Sequence, residues 1–210
     1  MAPDPQSRFE GYYATARPPW DIGRPQRAFV EAGEAISAGV EGRPARILDS
    51  GCGTGDLALW LAGLGSAVTG VDFLEKPLAA ARRKAAERGL AANFLQMDAT
   101  AVGTLPERFD AVTDCGLFHV FDDAGRAAYV AALTALLEPG ARVYLLCFAD
   151  AEPGEHGPRR VSEAELRRAF SSGWQIERME PSRFEVLPGI PGAEFSPGGA
   201  RAWFAEIRRV

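Results

Sequence analysis

Asp49-Ser50-Gly51-Cys52-Gly53-Thr54-Gly55-Asp56 carries the strongest chemical signal in the sequence. It follows a short apolar run, ARILDS, and precedes DLALWLAGLG, whose apolar residues have helical spacing. The eight residues therefore form a turn between a strand and a helix. Glycines at alternate positions let the backbone bend sharply and leave room for a ligand to approach main-chain atoms. A glycine-rich turn can also be a plain structural bend, and two further carboxylates separate the readings. Asp72 closes the next β-rich stretch, SAVTGVDF, and Asp98 closes ANFLQMDA. A carboxylate at the second strand end can accept both hydroxyls of a ribose, and one further along can accept from an adenine amine. Aspartates ending three successive strands predict a nucleoside site.

The elements that must position them alternate regularly. Strands are expected over 45–50, 66–73, 92–99, 109–116 and 141–150, with helices over 56–65, 76–89 and 122–140 between them. ARVYLLCFAD is apolar on both faces, as a central strand covered on both sides must be. A helix over 162–170 starts at Ser162 with Glu165 in capping-box position. Strands over 174–186 and 200–210, joined by a Gly- and Pro-rich loop over 188–199, predict an antiparallel pair closing one edge. The expected fold is α/β: a doubly wound, mostly parallel, seven-stranded Rossmann-like sheet with helices on both faces and an antiparallel edge strand. Residues 45–210 form this domain, and residues 1–44 an N-terminal helical and aromatic lid segment. GRPQRAFVEAGEAISAGV predicts a helix there, while FEGYYATARPPWD has no clear period. Its Tyr12, Tyr13 and Trp20 either pack on the domain surface or line a pocket.

Of the 210 residues, 47% are hydrophobic and 24% charged, which fits a globular protein and excludes a disordered or fibrous one. The net charge of −5 argues against nucleic-acid or anionic-membrane partners. The cationic residues are 21 Arg and 2 Lys, scattered along the chain, so they mark no phosphate-binding face. Cys52, Cys115 and Cys147 are odd in number and set among apolar residues, as reduced buried thiols are. MAPDPQSRFEGYY lacks a basic-then-apolar leader pattern, and no apolar run approaches the ~18 residues that span a bilayer. A soluble, cytoplasmic protein is expected, with its oligomeric state open.

These stretches resemble the class I S-adenosylmethionine-dependent methyltransferases. ILDSGCGTGDLALWLA is similar to that family's first motif, VTGVDF to its second, FLQMDA to its third and FDAVTDCGLFHVF to its fourth. The resemblance implies S-adenosylmethionine as cofactor, with Gly51, Gly53 and Gly55 bordering its methionine part and Asp49, Cys52 and Thr54 in the same loop. It implies Asp72 on the ribose, Phe73 flanking the adenine, Asp98 meeting its amine with Ala99 alongside, and the Cys115 carbonyl on the cofactor amino group. A dinucleotide-binding turn more often has a glycine three residues beyond Gly53, where this chain has Asp56. PPWDIGRPQRAFV and CGLFHVFDD also resemble a narrower group, the small-molecule enzymes related to thiopurine and thiol S-methyltransferases. Some relatives in that group methylate oxygen on phenols, quinones or heterocycles. An N-terminal Trp-containing segment lids the cofactor there, which implies such a place for Tyr13, Trp20 and Gln26.

The acceptor implied is a small aromatic or heterocyclic molecule, methylated on a thiol or hydroxyl. Tyr12, Tyr13, Trp20, Phe118, His119, Phe121 and Phe148 are the candidate pocket walls. His119 is the candidate general base near the end of the fourth strand, or else a packing residue within LFHVF. His156, among EPGEHGPRR, reads as a solvated loop residue. Asp114 and Asp150 end strands four and five without an Asp-Asn pair, so no metal is expected. Cys115-Gly116-Leu117-Phe118 stands where amino methyltransferases carry a Pro-Pro-aromatic turn. A nicotinamide-dependent oxidoreductase on a related sheet and a non-catalytic nucleoside-binding module are the alternatives.

Overall fold

The computed structural model describes residues 5–15, 17–189 and 194–210; residues 1–4 and 16 of the N-terminal segment and 190–193 of the late loop lie outside the described residues. Five parallel strands come first: β1 (Arg46–Ser50), β2 (Ala67–Asp72), β3 (Ala92–Gln96), β4 (Ala111–Cys115) and β5 (Arg142–Phe148). Two longer ones follow, β6 (Trp174–Phe184) and β7 (Ala200–Arg209). The sheet order is β3-β2-β1-β4-β5-β7-β6. β7 runs antiparallel to both neighbours, so the expected late pair does close the β5 edge, with β7 inserted between β5 and β6.

Helices α4 (Asp56–Gly63), α5 (Glu75–Arg88), α6 (Asp123–Leu136) and α7 (Glu163–Ala169) follow β1, β2, β4 and β5. Two cores result from strand alternation. Ile47, Tyr144 and Leu146 face the layer holding Leu59, Leu61 and Leu78, while Leu48, Val143 and Leu145 face Tyr129, Leu133 and Leu136. The capping box at the start of α7 forms as expected, Ser162 and Glu165 satisfying each other's backbone N–H groups.

The N-terminal segment departs from the sequence reading. The helix expected over 23–40 is split into α2 (Arg27–Glu31) and α3 (Gly33–Ile36), the break falling at Ala32, next to Gly33, a poor helix former. The stretch without a clear period, 9–21, begins inside a helix, α1 (Pro5–Thr15), and residues 17–21 are not helical. No amphipathic pattern announces α1, because its aromatic side chains pack onto Trp20 and Phe73 rather than onto the sheet. Among the described residues no helix is long and apolar enough to cross a membrane.

Candidate active site

The carboxyl ends of the parallel strands open onto a cavity of about 790 Å³, roofed by the N-terminal segment. It lies where the strand order reverses between β1 and β4, the position at which open α/β sheets take ligands. Its walls divide along the sheet. Carboxylates and the glycine turn line the half over β1, β2 and β3, and aromatic side chains line the half over β4, β5 and β6.

In the polar half, β1 ends at buried Asp49, whose Oδ1 accepts from Thr113 Oγ1 at 2.8 Å. Burial pushes its carboxyl up to about 7, opposed by that hydrogen bond. Gly51 and Gly53 adopt φ of 69° and 52°, and a Cβ added to Gly53 would stand 3.1 Å from the Tyr13 hydroxyl. Asp72 ends β2 and braces the turn: Oδ2 accepts from Gly53 N at 3.0 Å and Oδ1 from Leu74 N at 2.9 Å. Burial raises its pKa and these N–H groups work against the rise. Asp98 caps the 3₁₀ turn that begins at Ala99, Oδ1 accepting from both Thr100 N and Thr100 Oγ1 at 2.8 Å. Cys52, Phe73, Ala99 and Cys115 complete this half.

The roof answers the question left by Tyr12, Tyr13 and Trp20. All three line the cavity, with Tyr12 edge-on to Trp20 at 4.9 Å between ring centroids. Thr54 links roof to floor by donating from Oγ1 to Asp21 Oδ2 at 3.0 Å while accepting from Lys84 Nζ at 2.9 Å. Burial and nearby Asp72 hold the Tyr13 phenol protonated far above its usual range.

In the aromatic half, Phe148 is central, with ring centroids 5.3 Å from Phe184 and 5.2 Å from Phe195. Phe121 and His119 also line the cavity. His119 is only 5% exposed, and its Nδ1 accepts from the Phe148 backbone N–H at 3.0 Å. A nitrogen that accepts carries no proton, so the neutral ring bears its proton on Nε2. This argues against the general-base role expected for His119: one nitrogen is already protonated and the other is taken by the backbone.

Two other expected site residues lie elsewhere. Phe118 is fully buried in the α6-side core, tilted against Phe170 with the Arg126 guanidinium over its ring, and does not reach the cavity. It opens the 3₁₀ turn Phe118–Val120, in which successive side chains point about 120° apart, so Phe118 enters the core while His119 lines the cavity. Gly55 is also outside the cavity; a Cβ there would meet Ala81 Cβ at 2.8 Å and the Phe94 ring at 3.0 Å. Its role is close packing of the turn onto α5 and β3. Phe184, Val186 and Phe195 line the site from the tail and were not foreseen: Phe184 ends β6 opposite Ala200 of β7, and the other two lie in the connection between those strands.

A curated relative, the 2-heptyl-1-hydroxyquinolin-4(1H)-one methyltransferase of Mycobacteroides abscessus, is 34% identical over 218 residues, covering 99% of this chain and 92% of its own. The chain belongs to the methyltransferase family. The family model described as a methyltransferase domain matches residues 47–140, the stretch from β1 to the end of α6 and its turn. A solved structure from work on conversion of a disulfide bond into a thioacetal group during echinomycin biosynthesis superposes on this methyltransferase with a TM-score of 0.82. It is 35% identical, and the match covers 97% of this chain and 91% of that one. The 1,6-didemethyltoxoflavin-N1-methyltransferase of Burkholderia thailandensis, solved with bound 1,6-didemethyltoxoflavin and S-adenosylhomocysteine, gives a TM-score of 0.70 at 25% identity. That match covers 98% of the methyltransferase described here and 87% of the Burkholderia chain.

Proposed function

We propose that this methyltransferase moves the methyl group of S-adenosylmethionine to a hydroxyl or thiol of a small aromatic or heterocyclic molecule. The observation that carries the reading is one cavity divided into a carboxylate-edged half and an aromatic half. The polar half fits the donor. Asp49 Oδ2 is buried without a well-formed hydrogen bond, and the side-chain-free face of Gly53, met only by the Tyr13 hydroxyl, leaves a cradle in the same turn. Asp72 has accepted one N–H on each oxygen, which leaves lone pairs for two ribose hydroxyls. The second oxygen of Asp98 is available to an adenine amine, with Phe73 against the ring and the Cys115 carbonyl toward the donor's amino group.

When bound, S-adenosylmethionine supplies a methyl group on a sulfonium, open to in-line displacement. The chain's own work is to seat the acceptor about 3–3.5 Å from that carbon on the displacement axis and to keep water out. Phe121, Phe148, Phe184 and Phe195 grip a flat ring system, and α1 with Trp20 closes the roof as a lid. The Mycobacteroides relative is named for a hydroxylated heterocycle, which supports a ring-borne oxygen as the acceptor atom.

The test is a thermal-shift comparison of S-adenosylmethionine, S-adenosylhomocysteine and NAD, followed by assay of S-adenosylhomocysteine formation with a panel of thiols and phenols. At 100 times its dissociation constant a ligand adds about 2.7 kcal/mol, a readily measured shift. Stabilisation by NAD alone would overturn the reading.

A further inference from the structure

Lys84, one of two lysines in the chain, reaches from α5 to the glycine turn with its side chain 22% exposed. Its Nζ donates to Thr54 Oγ1 and to Asp56 Oδ2, both at 2.9 Å. An ammonium has no lone pair, so Thr54 can only accept from it. The single proton of the hydroxyl is then left for one of two carboxylates. Asp21 Oδ2 stands at 3.0 Å, while Asp56 Oδ2, already served by Lys84, stands at 3.5 Å, the outer limit of a hydrogen bond. The proton goes to Asp21. The other oxygen of Asp21 accepts from Arg17, at 3.2 Å from Nε and 3.0 Å from a terminal nitrogen.

Asp21 follows Trp20, the ring on which the roof is assembled. The Trp20 centroid lies 5.6 Å from Phe9, 4.9 Å from Tyr12 and 6.4 Å from Tyr13, each edge-on. The Tyr13 hydroxyl in turn stands 3.1 Å from where a Gly53 Cβ would be. Anchoring Asp21 therefore fixes the indole and, through it, the rings that lie over the turn. Without Lys84, Asp56 Oδ2 would lose its ammonium donor and compete for the Thr54 proton, and a hydroxyl turned to Asp56 lets go of Asp21. Asp56 would keep a cation all the same, since an Arg88 nitrogen stands 3.6 Å from its Oδ1.

We propose that Lys84 is a positioning residue for the roof: by occupying a lone pair of Thr54 Oγ1 and the near oxygen of Asp56, it directs the hydroxyl proton to Asp21 and fastens the roof over the bound donor. The inference rests on S-adenosylmethionine occupying the polar half and adds what retains it there. Lys84 itself is not among the cavity walls, so it acts through Thr54. A ligand bound under a fastened roof leaves only when the roof opens, and its apparent affinity scales with the fraction of chains that are closed. The charge of Lys84 works in the opposite sense. S-adenosylmethionine carries a net positive charge and S-adenosylhomocysteine is net neutral, so a nearby cation disfavours the first more than the second. Removing a latch weakens both ligands, whereas removing a bare charge tightens the sulfonium alone.

The experiment titrates S-adenosylmethionine and S-adenosylhomocysteine calorimetrically into the full chain and follows S-adenosylhomocysteine release in a stopped-flow chase. Lys84→Met and Thr54→Val should each weaken both ligands at least about fivefold and speed release by a similar factor. Thr54→Ser, which keeps the hydroxyl, should bind within about twofold of wild type. Because Thr54 joins Lys84 to Asp21, the effects of Lys84→Met and Asp21→Ala should be non-additive by at least about threefold, and additive within about twofold in the Thr54→Val background. Additive effects with Thr54 present, equal affinities in Thr54→Ser and Thr54→Val, or tighter S-adenosylmethionine binding by Lys84→Met with S-adenosylhomocysteine unchanged would overturn the inference. Should Lys84→Met fail to fold, the two Thr54 variants decide alone. A wild type that bound neither ligand would bring down the methyltransferase reading itself.

Discussion

Gln26 spends its whole side-chain amide on the backbone of Glu185: Nε2 donates to the carbonyl at 2.9 Å and Oε1 accepts from the N–H at 2.7 Å. The amide thus imitates a neighbouring strand just beyond the end of β6. Leu187 N continues the seam by donating to Pro19 O at 2.8 Å, and the Arg24–Glu185 pair closes it on the outside. Roof and aromatic wall are thereby one surface. The resemblance implied a lid position for Gln26, and the geometry makes it the stitch that holds the N-terminal segment to the chain just beyond β6.

Gln26→Glu sets a carboxylate oxygen against the Glu185 carbonyl and removes the donor. With Gln26 only 3% exposed, an unsatisfied pair there should cost about 1–3 kcal/mol. A domain of this size loses about 2–4 °C of Tm per kcal/mol, so scanning calorimetry should find a drop of several degrees. Acceptor KM should rise more than donor KM. An unchanged Tm would mean the seam is open in solution.

Gly53 and Gly55 look alike in the sequence and should fail differently. Gly55→Ala must hold a φ of 78° and drive a methyl into Ala81 and Phe94. The backbone strain costs about 1–2 kcal/mol and the overpacking about 1–3 kcal/mol more, so stability falls. Gly53→Ala meets only the Tyr13 hydroxyl at 3.1 Å and intrudes on the cradle. Its loss should show chiefly in S-adenosylhomocysteine affinity by calorimetric titration, with a smaller fall in Tm. Equal Tm losses and equal affinities for the two variants would contradict this division.

Asp72→Asn tests the second carboxylate. The amide keeps one accepting oxygen, so its NH₂ must face either Gly53 N–H or Leu74 N–H. Losing a charge-assisted bond is worth about 1.5–3 kcal/mol, which predicts S-adenosylhomocysteine binding weaker by about tenfold to a hundredfold. Affinity within twofold of wild type, by titration calorimetry, would remove Asp72 from the donor site.

The sheet was legible because its evidence is periodic: Ile47 and Leu48 must face opposite layers, and glycine or an aspartate marks each strand's end. The polar half of the cavity was legible for the same reason, since Asp49, Asp72 and Asp98 sit at positions the strand ends dictate. The aromatic half was not. Phe118 and His119 are adjacent, and nothing in LFHVF tells which enters the core; the 3₁₀ turn decides it. Phe184 reaches the site only through an antiparallel register set more than thirty residues from β5. The tautomer of His119 depends on a strand-end N–H, which no side-chain pattern records.

Asp49 makes donor binding depend on pH. Burial raises its carboxyl to about 7, so between the ordinary Asp value and neutrality the folded chain keeps a proton that the unfolded chain has lost. Stability without donor therefore falls as pH rises through that window. With the donor's ammonium group beside the glycine turn, the ionised carboxylate is favoured, and binding below neutrality must expel the proton. Affinity for S-adenosylhomocysteine should climb from about pH 6 and level off by about pH 8, with proton release visible as a buffer-dependent heat. Asp49→Asn has nothing to titrate and should flatten the curve. A pH-independent wild-type affinity over that range would place the donor's amino group away from Asp49.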